Sequence, residues 1–342
     1  MQKRHLAWLT GTLFATSLSY TPVSLAACEV DKPVRFAGMN WGSNLFIVEV
    51  SRLVLEKGYE CKTDVIPGGT IPMMQALVRG DVDLMAEVWM NTVAEAWNKG
   101  IEQQSVKEVG DSFEGGLEAW FVPRYLVEGD SERGIEPLAP ELRSVADLPK
   151  YKDLFQDPES PEQGRFYNCP SGWMCEVVNS NKLKAYGLDA HYTNFRPGTG
   201  AALKAAIATN YKRGKPVLFY YWGPTEVLGK YDLIQLQEPQ YDKAIFDQLI
   251  TQESEATSAT AYPIAVVKKG VNTGFAAQAP NIIDFYSKMS FNNADISSAL
   301  AYMDDNELEP KDAALHFMQQ REDLWRQWVP EEVAGKIKAG LE

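Results

Sequence analysis

Residues 34–89 read VRFAGMNWGSNLFIVEVSRLVLEKGYECKTDVIPGGTIPMMQALVRGDVDLMAEVW, and their apolar pattern switches repeatedly between two periods. Residues 34–38 form a short apolar run of strand type, and 44–57 repeat apolar residues at helical spacing, with Ser43 as N-cap and Gly58 as stop. A second strand is predicted over 62–67. Next, a helix opens near Thr70, carries Pro72 in its first turn and ends at Gly80, before a third strand over 82–89. Strands alternating with helices imply right-handed crossovers and a parallel sheet covered on both faces. The fold class is α/β.

Working outward, a strand at 117–123 leads into a loop-rich passage with Pro137, Pro140, Pro149, Pro158 and Pro161, which marks a crossing into different territory. The rhythm then resumes with a strand at 165–169, a helix at 174–186, the turn Pro197-Gly198-Thr199-Gly200, a helix at 201–212 and a strand at 217–222. A strand at 261–269 and mostly helical patterns finish the chain. With about 315 residues after processing, two modest lobes can each build a core. The expected division is 28–123 for the first segment of lobe 1, 124–258 for lobe 2 and 259–342 for the return segment of lobe 1 with its C-terminal helices. Strands near 120 and 262 would then make a two-segment hinge. No internal repeat and no low-complexity segment interrupts this plan.

The first residues set the compartment. Lys3 and Arg4 precede an apolar run from Leu6 to about Tyr20, and small residues follow at Ser24, Ala26 and Ala27, which is the layout of a secretory signal peptide over 1–27. Leu25-Ala26-Ala27-Cys28 also reads as a lipoprotein processing box, in which Cys28 would become a lipidated N-terminus. Processing removes two cations and no acids, taking the formal charge from −13 to −15. So acidic a chain disfavours nucleic acid and anionic membranes as partners and is compatible with cationic ligands. Four cysteines in an oxidising compartment form an even set with three possible pairings. The favoured ones are Cys169 with Cys175, around a short loop, and Cys28 with Cys61, at the starts of two neighbouring strands. A metal site is the rival, but C-x-x-C pairs are absent and only His191 and His316 remain after processing.

Tryptophans carry most of the chemical information. Trp41 follows the first strand, Trp89 ends the third, Trp173 follows the strand at 165–169 and Trp222 ends the strand at 217–222. Ligands of open parallel sheets bind outside the carboxyl ends of strands, so two rings from each lobe would converge on one interlobe cleft. Core or lid packing is the plain alternative for each ring. It is the expected role of Trp97, Trp120, Trp325 and Trp328, while Trp8 leaves with the signal peptide. A quaternary ammonium donates no hydrogen bond, and a cage of aromatic faces is the physical answer to such a cation. Within Cys169-Pro170-Ser171-Gly172-Trp173-Met174-Cys175 a helix begins, whose free N–H groups attract a ligand oxygen. Gly172 there permits close approach of the backbone. Glu87 lies two residues before Trp89, hence on the same strand face, and is a candidate counter-ion. Asn91 and Glu226 are weaker candidates for polar contacts. Phosphate loop, G-x-S-x-G and paired zinc ligands are all missing, which argues against an enzyme.

Asn40-Trp41, Gly58-Tyr59, Gly80-Asp81 with Asp83 before Val88-Trp89, the Cys-Pro-Ser-Gly-Trp-Met-Cys loop, and Gly214-Lys215-Pro216 leading to Tyr220-Tyr221-Trp222-Gly223-Pro224 resemble the substrate-binding component of glycine betaine/choline/proline betaine ABC importers. The resemblance runs from about 30 to 330. It implies a two-lobe periplasmic binding protein fold, type II-like, each lobe a sheet flanked by helices with the ligand cleft between them. It also implies that Trp89, Trp173 and Trp222 form the cage, that Trp41 occupies a fourth position used in the choline branch, and that the amides of Met174 and Cys175 take the ligand's oxygen. Partners would be an ABC permease and its ATPase, with no cofactor and no metal. Two positions depart from the pattern. Thr92 and Val93 stand where many glycine betaine binders carry a histidine, and Ser43 stands where choline binders often carry an acid. Another small organic cation, such as carnitine or a protonated amine, is the alternative ligand.

Overall fold

The computed structural model of the chain describes residues 27–252 and 254–341, and the signal peptide expected over 1–27 lies outside it but for Ala27. Strand β1 (Val34–Met39) lies between β2 (Thr63–Gly68) and β3 (Leu84–Trp89) and is parallel to both. The helices Gly42–Gly58 and Thr70–Arg79 make the crossovers that parallel neighbours require. Every side chain of β3 is buried, as a strand covered on both faces must be.

The chain then enters β4 (Val106–Pro123), a strand of 18 residues. Its first half pairs antiparallel with β10 (Ala265–Asn272), which is itself antiparallel to β3. From Leu117 onward its partners are β8 (Leu218–Gly223) and β9 (Leu233–Gln235). One strand therefore belongs to both halves of the molecule. In the far half β8 is parallel to β6 (Ser160–Tyr167), which takes β7 (Tyr192–Phe195) in parallel and β5 (Gln156–Asp157) antiparallel. The spatial order is β2-β1-β3-β10-β4-β8-β6-β5, with β7 beside β6 and β9 beside β4.

Two features differ from the sequence pattern. The expected strand at 117–123 is only the second half of β4. Bulges break the alternation of its first half: Gly110 has φ +94°, and the register against β10 shifts between Lys268 and Gly270. Buried apolar side chains fall at Val106, Val109 and Phe113 rather than at every second residue. Nor does Ser43 cap the first helix. Trp41 holds the N-cap position in extended backbone, and Asn44 turns back so that its Oδ1 accepts from Met39 N–H at 2.8 Å. Gly80 does close the second helix, in left-handed backbone at φ 77°.

Both favoured disulfides are present, Cys28–Cys61 and Cys169–Cys175. The first ties the segment entering β1 to the segment entering β2. Trp97, Trp120, Trp325 and Trp328 are buried, as expected of core residues. Trp120 donates to Asn179 Oδ1 at 2.7 Å, Trp325 donates to the Met318 carbonyl at 2.6 Å, and Trp328 packs edge-on against Phe291. No helix among the described residues is long and apolar enough to cross a membrane.

Beneath β10 the wholly buried Lys269 closes the end of the helix Pro280–Lys288. Its Nζ donates to the carbonyls of Tyr286, at 2.6 Å, and Met289, acceptors that the last helical turn leaves open. Lys269→Met leaves these oxygens unsatisfied in the interior and is expected to lower the unfolding free energy by about 1–3 kcal/mol, measured by urea denaturation.

Candidate functional site

Trp41, Trp89 and Trp173 each occupy the N-cap position of a helix, in extended backbone at the point where a strand or loop hands over to that helix. Trp222 sits near the end of β8, opposite Glu118 of β4. These placements bring the four indoles to one small cleft, lined also by Thr70, Thr92, Glu118, Met174, Cys175 and Tyr220. The ring of Trp173 meets Trp41 at a centroid distance of 4.9 Å and Trp222 at 5.2 Å, with interplanar angles of 73° and 80°. Walls so nearly perpendicular make a box. Trp89 is braced from outside by Phe113 at 5.9 Å.

The N–H edges of three of these indoles are taken up by protein acceptors. Glu87 Oε2 accepts from Trp41 Nε1 at 2.8 Å and from Trp89 Nε1 at 3.0 Å, and Asn40 Oδ1 accepts from Trp173 Nε1 at 2.5 Å. With its donors so engaged, each ring can offer only its face and hydrocarbon rim to a guest. Glu87 is 1% exposed, and burial raises its pKa against the opposing pull of Trp41, Trp89 and Ser43. Strand alternation placed it correctly on the face of Trp89. Its expected role as counter-ion needs correction, because its carboxylate stands behind the rings and orients two of them.

Other expected residues distribute as follows. Met174 and Cys175 line the cleft and open the helix Met174–Ala185, where no earlier turn supplies acceptors for their N–H groups. Gly172 has φ +90°, and its carbonyl accepts from Ile71 N at 3.2 Å, so it docks the disulfide loop on the opposite half rather than lining the cleft. Ser43 and Glu226 face a neighbouring cleft between the halves. Asn91 donates to Glu118 Oε2 and reaches the site only through that carboxylate. Glu118 itself was missed, as was Thr70. The available signal was a lone acid in the otherwise apolar run Leu117-Glu118-Ala119-Trp120-Phe121-Val122.

Beside the cage the two halves are bridged by charges. Lys204 pairs with Asp304 at 2.7 Å and with Glu226 at 3.2 Å, while Lys230 pairs with Asp304 at 2.5 Å and also with Asp305. Although burial opposes it, this pair of lysines holds the Asp304 carboxyl below its ordinary value. Among the described residues, no group of three or more His, Cys, Asp or Glu is placed to hold a metal ion.

A cleft walled by strand ends from both halves, with an aromatic interior and charged bridges beside it, belongs to a two-lobe α/β fold of the binding-protein type. The chain belongs to the family described as the substrate-binding domain of ABC-type glycine betaine transport systems, which its residues 32–320 match. Among curated relatives, the glycine betaine/proline betaine-binding periplasmic protein of Escherichia coli (strain K12) is 26% identical over 57% of this chain. A glycine betaine-binding periplasmic protein of Dickeya dadantii (strain 3937) is 29% identical over 49%. The chain spans 61% and 51% of the lengths of these two relatives. Among solved structures, a glycine betaine, L-proline-binding protein from Borrelia burgdorferi has a TM-score of 0.71 at 19% identity, covering 90% of this chain and 100% of that one. A choline binding protein in complex with choline has a TM-score of 0.70 at 18% identity, covering 92% and 99%. At these identities the likeness is one of fold.

Replacing Glu87 tests the orientation of the rings. Glu87→Leu unpairs two buried indole donors and is expected to lower the unfolding free energy by about 1–3 kcal/mol. Glu87→Gln keeps an accepting oxygen and is expected to lose less, both being read from urea denaturation midpoints.

Proposed function

We propose that this protein is the solute-binding component of an ABC importer, capturing a quaternary ammonium compound such as glycine betaine, choline or a related betaine and delivering it to a permease driven by an ATPase. The observation that carries this function is the convergence of Trp41, Trp89, Trp173 and Trp222 on one small cleft with three N–H edges tied away from it. Each desolvated cation–π contact contributes roughly 1–2 kcal/mol, so a full cage supplies about 4–8 kcal/mol before the entropy of association is subtracted. Micromolar affinity corresponds to about 8 kcal/mol. A ligand carboxylate or hydroxyl would lie against the amides of Met174 and Cys175, at the positive end of their helix. Catalysis has no part in this function.

The lobes are taken to divide at the strands that run between them, β4 and the segment entering β10, with the expected boundaries of 28–123, 124–258 and 259–342 on or beside these strands. Hinge motion would part the two pairs of tryptophans, which meet in this structure, to admit a ligand and bring them back around it. Export to the periplasm follows from the N-terminal sequence. A lipid anchor at Cys28 would need the sulfur that Cys61 holds in the disulfide, which favours a free periplasmic protein.

Calorimetry with glycine betaine, choline and tetramethylammonium tests the cage. Trp89→Ala and Trp222→Ala are each expected to abolish detectable binding while the protein stays folded by circular dichroism. Normal binding by both variants would overturn the assignment. Asp304→Asn removes the acceptor shared by Lys204 and Lys230 across the cleft. It is expected to speed ligand dissociation about three- to tenfold, in line with a partly exposed ion-pair network, as read by stopped-flow tryptophan fluorescence.

A further inference from the structure

We infer that Glu118 sets the charge the cage accepts, favouring compact net cations, which carry an ammonium group and no carboxylate, over zwitterionic betaines. This rests on the cage described above and adds the class of ligand it prefers. Glu118 is 5% exposed and lines the same cleft as the four tryptophans. It projects from the half of β4 that pairs with β8, directly opposite Trp222. Its Oε1 accepts from the Tyr220 hydroxyl at 2.5 Å, and its Oε2 accepts from the Asn91 amide. A carboxylate offers about four acceptor sites, so the two donors leave capacity turned towards a guest.

Among the described residues its charge has no close ionic partner. Lys182, wholly buried on the helix Met174–Ala185, is the cation that acts on it, yet Lys182 Nζ is paired with Glu238 at 2.5 Å and lies over the Tyr262 ring at 4.3 Å. Tyr220 of β8 and Tyr262, before β10, are phenols that burial keeps protonated well above their ordinary range. Glu87 on β3, the other buried acid near the cage, is engaged by indoles. Burial pushes the Glu118 carboxyl up, while Tyr220, Asn91 and Lys182 pull it down.

A guest cation supplies the missing partner and favours the ionised form. A zwitterion brings its own carboxylate into the same small space, and even when that group lies against the amides of Met174 and Cys175 its repulsion from Glu118 in a poorly solvated site subtracts from binding. Linkage fixes the sign of the pH effect: the cation binds the deprotonated site better, so its affinity rises with pH until Glu118 of the free protein is fully ionised and is flat above that.

The experiment is calorimetry on the full mature chain with tetramethylammonium and glycine betaine from pH 4.5 to 8, repeated with Glu118→Gln. In the unmodified protein tetramethylammonium is expected to bind at least about tenfold more tightly than glycine betaine at pH 7.5, and to weaken as pH falls. Glu118→Gln is expected to lower tetramethylammonium affinity on the order of ten- to a hundredfold, to tighten glycine betaine by relieving the repulsion and to flatten the pH profile. Should Glu118→Gln fail to fold, Tyr220→Phe keeps the ring and removes one donor, and it is expected to move the midpoint of the tetramethylammonium profile to higher pH. Binding of both ligands with a preference unmoved by Glu118→Gln, or a flat pH profile in the unmodified protein, overturns the role of Glu118 and leaves the cage intact. Failure of both ligands to bind the unmodified protein overturns the cage itself.

Discussion

Two indole N–H groups meet one carboxylate oxygen in the interior, and the binding surface depends on that meeting. Tryptophan brings to a cleft both a large apolar face and a polar edge, and a buried edge without an acceptor is expensive. Glu87 resolves this for Trp41 and Trp89 together, and Asn40 does so for Trp173. Because the acceptors stand behind the rings, the surface left to the guest is aromatic, with polar groups confined to a few defined points. Asn40 lies in the half opposite Trp173, so its bond also joins the two sides of the cleft.

The backbone repeats this economy. β4 serves both halves without interruption, with β10 beside its first part and β8 beside its second. Glu118 stands shortly after the change of partner, on a segment anchored by Trp222 across the ladder. The residue that differs most in character from the rest of the cage is thus mounted on the strand common to both sides. The charged bridges from Lys204 and Lys230 to Asp304 lie at the rim, where exposure weakens each pair and only the network carries weight.

Much of this was legible in the sequence, and the reasons for success and failure are particular. The parallel strands β1, β2 and β3 were readable because apolar runs, a proline-led helix and the stop at Gly80 agree at every level. The meeting of the four tryptophans in one cleft was readable because each follows or ends a strand, where ligands of open sheets bind, whereas Trp120 within a strand and Trp325 on a C-terminal helix have plain packing roles. Alternation located Glu87 on its face, but sequence spacing says nothing of which atoms a carboxylate will meet, so its partners were misjudged. Ser43 looked like a cap from composition, and the handover from β1 gave that position to Trp41. In Glu118 a single acid in an apolar run is easily passed over as a solvent-facing residue. Only the pairing of β4 with β8, a contact between residues about a hundred positions apart, turns it inward.

The shared strand has a consequence for how such a molecule can change over time. Recognition cannot be inherited from either half alone, since each contributes two of the four rings and the acid between them rides on the common backbone. Recombination that exchanged one half for a homologous one would break the box geometry and cut through β4 itself. Altered preference is therefore expected to come by stepwise substitution inside an intact frame, with Glu118, on the common strand, the position where one change of charge bears most directly on the guest.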